Sequence, residues 1–245
     1  MKRLVQISDC HLLADPARDA YGVNPALSLK SVLTAAMQCH PDAVVITGDI
    51  SGDDSGASYQ LFQRLMEDSA GDTPWFVIPG NHDLNPHYDA QLTNRQLCAG
   101  DPLDLGSWQL HGMDTRHQGT LGFARKSELS AIERAMTAAP DCHHMLALHH
   151  HIEPSHSWMD RHHLINADEI SQWITRQPRL RAAIHGHIHS QSHYQIGDCA
   201  IMSVPSTCWQ WAMQPEFGVE NIQPGYRELL LSEDGNWTTT IRRLP

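Results

Sequence analysis

The chain has 245 residues, 41% of them hydrophobic and 18% charged, which is enough apolar material for a sizeable core and too much for a disordered segment. A formal net charge of −11 excludes a surface built to grip a nucleic-acid backbone, and no apolar run is long enough to cross a bilayer. The six cysteines include no CxxC pair, so neither a disulfide framework nor a thiolate metal site is expected.

Short apolar runs alternate with helical patterns along the chain. RLVQI (3–7) reads as a buried first strand rather than a signal segment, and it ends in SDCH, which carries Asp9 and His11. Asn24-Pro25 then offers an N-cap followed by a first-turn proline, with Leu29, Val32, Leu33 and Met37 on one helix face. DAVVIT (42–47) is the second strand and ends in Gly48-Asp49; Tyr59, Phe62, Leu65 and Met66 mark the next helix. PWFVIP (74–79) leads into GNHD, with Asn81, His82 and Asp83. Ser127 is expected to cap a helix carrying Leu129, Ile132 and Met136. HMLAL (144–148) runs into His149, His150 and His151. Asn166 and Glu169 resemble a capping box ahead of Ile170, Trp173 and Ile174, and Pro178 stops that helix. LRAAI (180–184) ends in HGHIH, and the tail turns to the strand-like pieces SHYQI, CAIMSV, RELLLS and WTTTIRR. No repeat or linker divides the chain, so one layered α/β domain is expected over residues 1–245.

Five apolar runs thus end in Asp, Asn or His, and in an α/β sheet ligands bind beyond the carboxyl ends of the strands. In AAIHGHIHS, His185, His187 and His189 alternate, so an extended chain would aim all three the same way. Carboxylate, amide and imidazole donors without thiolate suit Mn, Fe, Zn or Co. Asp9, His11, Asp49, Asn81, one of His149 to His151, His187 and His189 are too many donors for one tetrahedral ion. They fit two divalent ions bridged by a carboxylate and a hydroxide, an arrangement suited to in-line attack of water on phosphorus.

These motifs, D-x-H, GD, GNHD, the histidine run and GHIH, resemble the calcineurin-like metallophosphoesterase superfamily. YGVNPALSL, TGDISGD, LALHHH, SWMDRHHLINADE, PSTC and PGYRELLL are further similar to bacterial class III cyclic nucleotide phosphodiesterases, which act on 3′,5′-cyclic AMP. The resemblance implies a four-layer α/β/β/α sandwich and a cytoplasmic enzyme that hydrolyses cyclic AMP to AMP, with a cyclic nucleotide as its small-molecule partner and no nucleic acid or membrane. Monomer and homodimer both stay open.

Carried over by position, Asp9, His11 and His189 would hold one ion, Asp49 would bridge, and Asn81, His149 and His187 would hold the other. A hydroxide between the ions would attack phosphorus opposite the 3′ oxygen. Asn81 and His82 would act on the substrate, with His189 beside them, and Asp83 would orient a neighbour. Relatives commonly carry proline soon after this histidine run, where Ile152 stands here, so His150 is the alternative to His149. The family usually has a small residue where His185 stands, which leaves that imidazole free to point elsewhere. Another phosphodiester or phosphomonoester on the same fold is the rival substrate class, and a non-catalytic scaffold is a more distant one. Histidines 143, 144, 156, 162, 163 and 193 match no motif and read as surface or satisfied core residues. Trp209 and Trp211 read as sheet packing, with base stacking as the alternative.

Overall fold

A computed structural model describes Met1–Pro245. The elements in chain order are β1 (Lys2–Ile7), α1 (Pro25–Met37), β2 (Ala43–Thr47), α2 (Gly56–Ala70), β3 (Trp75–Ile78), α3 (Pro86–Leu92), β4 (Leu103–Asp104), β5 (Trp108–Gly112) and α4 (Lys126–Ala138). They continue with β6 (His143–Ala147), α5 (Ala167–Thr175), β7 (Leu180–His185), β8 (Ser192–Ile196), β9 (Cys199–Ser203), β10 (Gln210–Trp211), β11 (Val219–Glu220), β12 (Gly225–Leu231) and β13 (Trp237–Arg243). Two large sheets result, one in the order β13-β12-β1-β2-β3 and one in the order β4-β5-β6-β7-β9-β8, and β10 and β11 pair as a separate two-stranded ribbon. β1, β2 and β3 run parallel, as do β5, β6, β7 and β9.

The central strands are apolar on both faces because both faces are covered. On the outer face of the first sheet, Val5, Ile7, Val44 and Ile46 pack under Leu29 and Leu33 of α1 and Phe62 and Met66 of α2. Leu4, Val45, Ile78 and Leu229 point the other way and meet Leu110, Met145, Ala182 and Met202 of the second sheet. Beyond that, Leu146, Ala183 and Ile201 are covered by Leu129 and Ile132 of α4 and Ile170 and Trp173 of α5. Four layers, α/β/β/α, follow from this side-chain alternation.

The two sheets are also tied by polar bonds near the carboxyl ends of β1, β7 and β9. Gln6 on β1 donates to the His185 carbonyl of β7 at 3.0 Å and to Thr47 Oγ1 at 3.0 Å. Arg227 on β12 donates to the Ser203 carbonyl of β9. All five of these residues are fully or almost fully buried.

Several local expectations change. Asn24 does cap α1, accepting from Leu27 N at 2.9 Å. Ser127, by contrast, lies inside α4, which begins at Lys126 with no side-chain cap. Asn166 does not cap α5, because its amide brackets the backbone of Ala124 with two 2.9 Å bonds. The strand β5 carries no continuous apolar run; His111 interrupts it and is buried by bonding His144 across the parallel pair at 3.1 Å.

Leu229 is fully buried between the sheets. Leu229→Ala should lower unfolding free energy by about 2–5 kcal/mol in urea titrations, with an unchanged m-value.

Candidate metal centre

The strands β1, β2, β6 and β7 end at Ile7, Thr47, Ala147 and His185, and Asp9, Asp49, His149 and His187 follow each within two residues. Asn81 follows the end of β3 at Ile78. The chain turns at once: Asp9, His11, Asp49, His187 and His189 have φ of 55°, 44°, 53°, 71° and 47°. Asp and His tolerate this left-handed region better than most residues, but it is still strained, and such strain collects at functional sites. The three alternating histidines therefore do not share one face of a strand. β7 ends at His185, whose Nδ1 faces the Gly186 carbonyl at 3.0 Å, while the left-handed turns bring His187 and His189 to the other donors. Two glycines permit the convergence. A Cβ at Gly186 would overlap Ser8 Oγ and lie 2.7 Å from Asp9 Oδ2, and one at Gly80 would overlap Asp49 Oδ1.

All seven predicted donors come together. His11 Nε2 faces His189 Nε2 at 3.0 Å, and His189 Nε2 is 3.4 Å from Asp9 Oδ1. Asp49 Oδ2 lies 3.3 Å from His149 Nε2 and 3.7 Å from His11 Nε2, and Asn81 Oδ1 is 3.2 Å from His149 Nε2. Asp9, His11 and His189 form one group that could hold an ion; Asp49, His149 and His187 form a second. Asp49 joins them, since it also groups with His11 and His82. His150 does not face the centre with its Nδ1, which pairs with Thr115 Oγ1 at 2.7 Å, and this favours His149 as the donor.

The imidazoles are oriented from behind. His149 Nδ1 pairs with the Thr47 carbonyl at 2.7 Å, His187 Nε2 with that of His162 at 2.8 Å, and His189 Nδ1 with that of Trp209 at 2.8 Å. A ring nitrogen that donates to a carbonyl leaves the other nitrogen's lone pair free for a cation. Burial pushes His11 down to about 3 and His187 well below the ordinary range, so both are neutral donors. Burial also opposes charge on His149, but the adjacent Asp49 carboxylate outweighs it and lifts His149 to about 9. Burial likewise opposes ionisation of Asp49, yet His149, His82 and His11 hold its carboxyl well below the usual range. Asp83 holds neighbours on two loops. It accepts from Gly80 N at 2.9 Å, Ile50 N at 3.2 Å and Tyr59 Oη at 2.9 Å, bracing the loops after β2 and β3.

A profile of the family described as calcineurin-like phosphoesterase matches residues 2–191. The chain belongs to that family. Over 99% of its length it is 34% identical to the 3′,5′-cyclic adenosine monophosphate phosphodiesterase CpdA of Escherichia coli (strain K12), covering 90% of that protein. It is 33% identical over 98% of its length to the protein of the same name from Pseudomonas aeruginosa, covering 89% of it. A dimetal phosphatase from Danio rerio superposes with a TM-score of 0.65 at 12% identity, covering 92% of this chain and 95% of that one, a likeness of fold.

The calcineurin-like phosphoesterase family is hydrolytic, and here five of the donors, His11, Asp49, Asn81, His187 and His189, line a cleft of about 150 Å³. His82 reaches its rim half-exposed, with its ring edge-on to His11 at 4.9 Å and its backbone N–H held by Asp49 at 2.9 Å. Thr120, Trp158, Met159, His162 and Trp211 complete the lining. Trp158, Met159 and His162 lie in SWMDRHHLINADE, but nothing in that segment assigns them to the cleft; with Thr120 and Trp211 they meet only through the tertiary fold.

A divalent cation between Asp49 and His149 would displace the His149 proton. Cation binding at pH 7 should therefore release about one proton, measurable as a buffer-dependent calorimetric enthalpy. Affinity should climb as pH rises toward about 9, where His149 loses that proton unaided.

Proposed function

We propose that the chain is a 3′,5′-cyclic nucleotide phosphodiesterase that converts cyclic AMP to AMP with two divalent cations, and that residues 1–245 act as one catalytic domain. The observation that carries this reading is the pair of donor groups joined through Asp49 at the floor of one cleft. The substrate follows from the relatives named as cyclic AMP phosphodiesterases, whose likeness runs through nearly the whole chain.

The donor set suits Mn, Fe, Zn or Co, because it combines carboxylate, amide and imidazole without thiolate. In this reading Asp9, His11 and His189 hold one ion, Asn81, His149 and His187 hold the other, and Asp49 holds both. When bound, such a pair supplies positive charge against the phosphate and water acidic enough to attack phosphorus at neutral pH. The chain does the remainder. Asn81 turns its oxygen toward His149, which leaves its NH2 to donate to a phosphate oxygen as charge builds there. His82 is fixed through its backbone N–H and open to the cleft, and in this reading it protonates the departing 3′ oxygen. His189 shares the cleft wall and keeps the phosphate against the donors. The protein acts on a small soluble substrate in the cytoplasm, and no helix is long and apolar enough to cross a membrane.

The metal-loaded protein should release AMP from cyclic AMP faster than it cleaves simple phosphomonoesters; the reverse ranking on a substrate panel would discard the assignment. Asp49→Ala should lose activity by on the order of 10²–10³-fold or more and bind less metal by elemental analysis. His82→Ala should lower kcat about 10²-fold with full metal content, the separation expected of a proton donor that is not a ligand.

A further inference from the structure

An aromatic wall rises directly from the donor cluster. Trp209 stacks on His11 with centroids 5.1 Å apart at 26°, and Trp211 stacks on His189 at 4.8 Å and 24°. Tyr21 packs against Trp209 at 4.8 Å and Trp211 at 5.3 Å; Phe217 packs against Trp158 at 5.0 Å and Trp211 at 5.6 Å. The rings come from three distant segments: the loop before α1, a turn after β6, and the β10–β11 hairpin. Trp209 and Trp211 are buried and Trp158 is half-buried, but Tyr21 is 55% and Phe217 57% exposed. A contiguous exposed aromatic surface of this kind marks a binding face.

Tyr21 supplies a second, independent observation. Ala20 and Val23 exchange backbone hydrogen bonds of 2.9 and 3.0 Å around a two-residue turn. Both turn residues have positive φ, 50° at Tyr21 and 77° at Gly22. Such a turn prefers Asn or Asp ahead of glycine, and a bulky tyrosine there is a conformational outlier. The fold holds Tyr21 in that strained backbone with more than half of the residue in solvent.

We propose that Tyr21, Trp158, Trp211 and Phe217 hold the nucleobase of the cyclic nucleotide by stacking, while its phosphate lies on the donor cluster. This rests on the function proposed above. The phosphate end demands cations and polar donors, whereas the wall offers uncharged ring faces continuous with them through Trp211, which lines the same cleft. A substrate that matches both must join a phosphodiester to a flat, uncharged aromatic group. A trimethylammonium group also suits aromatic faces, so a choline phosphodiester is the competing occupant to exclude.

The test uses the full-length, metal-loaded protein with Tyr21→Ala and Phe217→Ala. Each should raise KM for cyclic AMP and the inhibition constant of AMP about tenfold. The loss should fall on KM rather than kcat, and the inhibition constant of inorganic phosphate should stay within about twofold. Tyr21→Phe and Phe217→Tyr should restore the affinity. Tyr21→Asn should raise the thermal midpoint by relaxing the turn yet lose affinity as the alanine variant does, which a merely structural tyrosine would not do. Wild-type turnover of cyclic AMP with KM and AMP inhibition unmoved in both alanine variants overturns the wall. So does faster hydrolysis of glycerophosphocholine that the same variants abolish. A wild-type protein that hydrolyses no cyclic nucleotide removes the proposed function itself, and this inference with it.

Discussion

Two carboxylates in the protein interior set the terms for the rest of the molecule. Asp9 and Asp49 are 0% and 3% exposed, and each sits among imidazoles rather than lysines or arginines. Removing an ion from water costs several kcal/mol after relaxation, and a partner must return that energy. Nearby His11 and His187 are pushed toward neutrality, while His149 is lifted toward the charged form. Neutral imidazoles such as His11 and His187 cannot balance two buried carboxylates, so the centre calls for added positive charge. Two divalent cations, gripped by the neutral nitrogens, are the simplest completion.

Holding that arrangement places demands on the scaffold. Asp9, His11, Asp49 and Asn81 issue from the first sheet, and His149, His187 and His189 from the second. Each donor group therefore spans the sandwich, and its internal distances depend on how the two sheets are packed. Gln6 fastens β1 to the end of β7 beside that junction, and its other bond, to Thr47, reaches the end of β2. Asp83 adds a further brace by tying the loops after β2 and β3 to one carboxylate. Five donors sit at positive φ, a conformation the chain keeps only where surrounding contacts outweigh its cost. The apolar layer of Leu4, Val45, Met145 and Ala182 is thus as much a part of the centre as its ligands.

Much of this is legible in the residues because buried parallel strands write themselves as continuous apolar runs. RLVQI, DAVVIT, PWFVIP, HMLAL and LRAAI each announce a strand, and a donor follows each run within three residues. The motifs after those runs name the seven donors that the fold gathers. Other features follow from pairings that single-segment patterns do not encode. WQLHG hides β5 because the buried His111 pairs with His144, a partner 33 residues away. Asn166 looks like a helix cap until Ala124 claims its amide. The alternation of His185, His187 and His189 suggests a shared face, but the strand stops at the first of them and backbone handedness aims the other two.

Donors on strand ends and rings on loops evolve under different constraints. The strand ends are locked by two sheets, so a dimetal phosphatase at 12% identity can still share the fold. Loops tolerate change more readily, which makes them the natural place to set substrate preference. Here the separation is incomplete. The Trp209 carbonyl orients His189, the Trp209 ring stacks on His11, and the Trp211 ring stacks on His189 itself. A change at either tryptophan therefore disturbs ligand geometry along with any ring it removes. Tyr21 and Phe217 make their aromatic contacts only with other rings of the wall. Substrate preference can shift at those two outer positions without moving a donor, and that freedom fits their exposure and the strain retained at Tyr21.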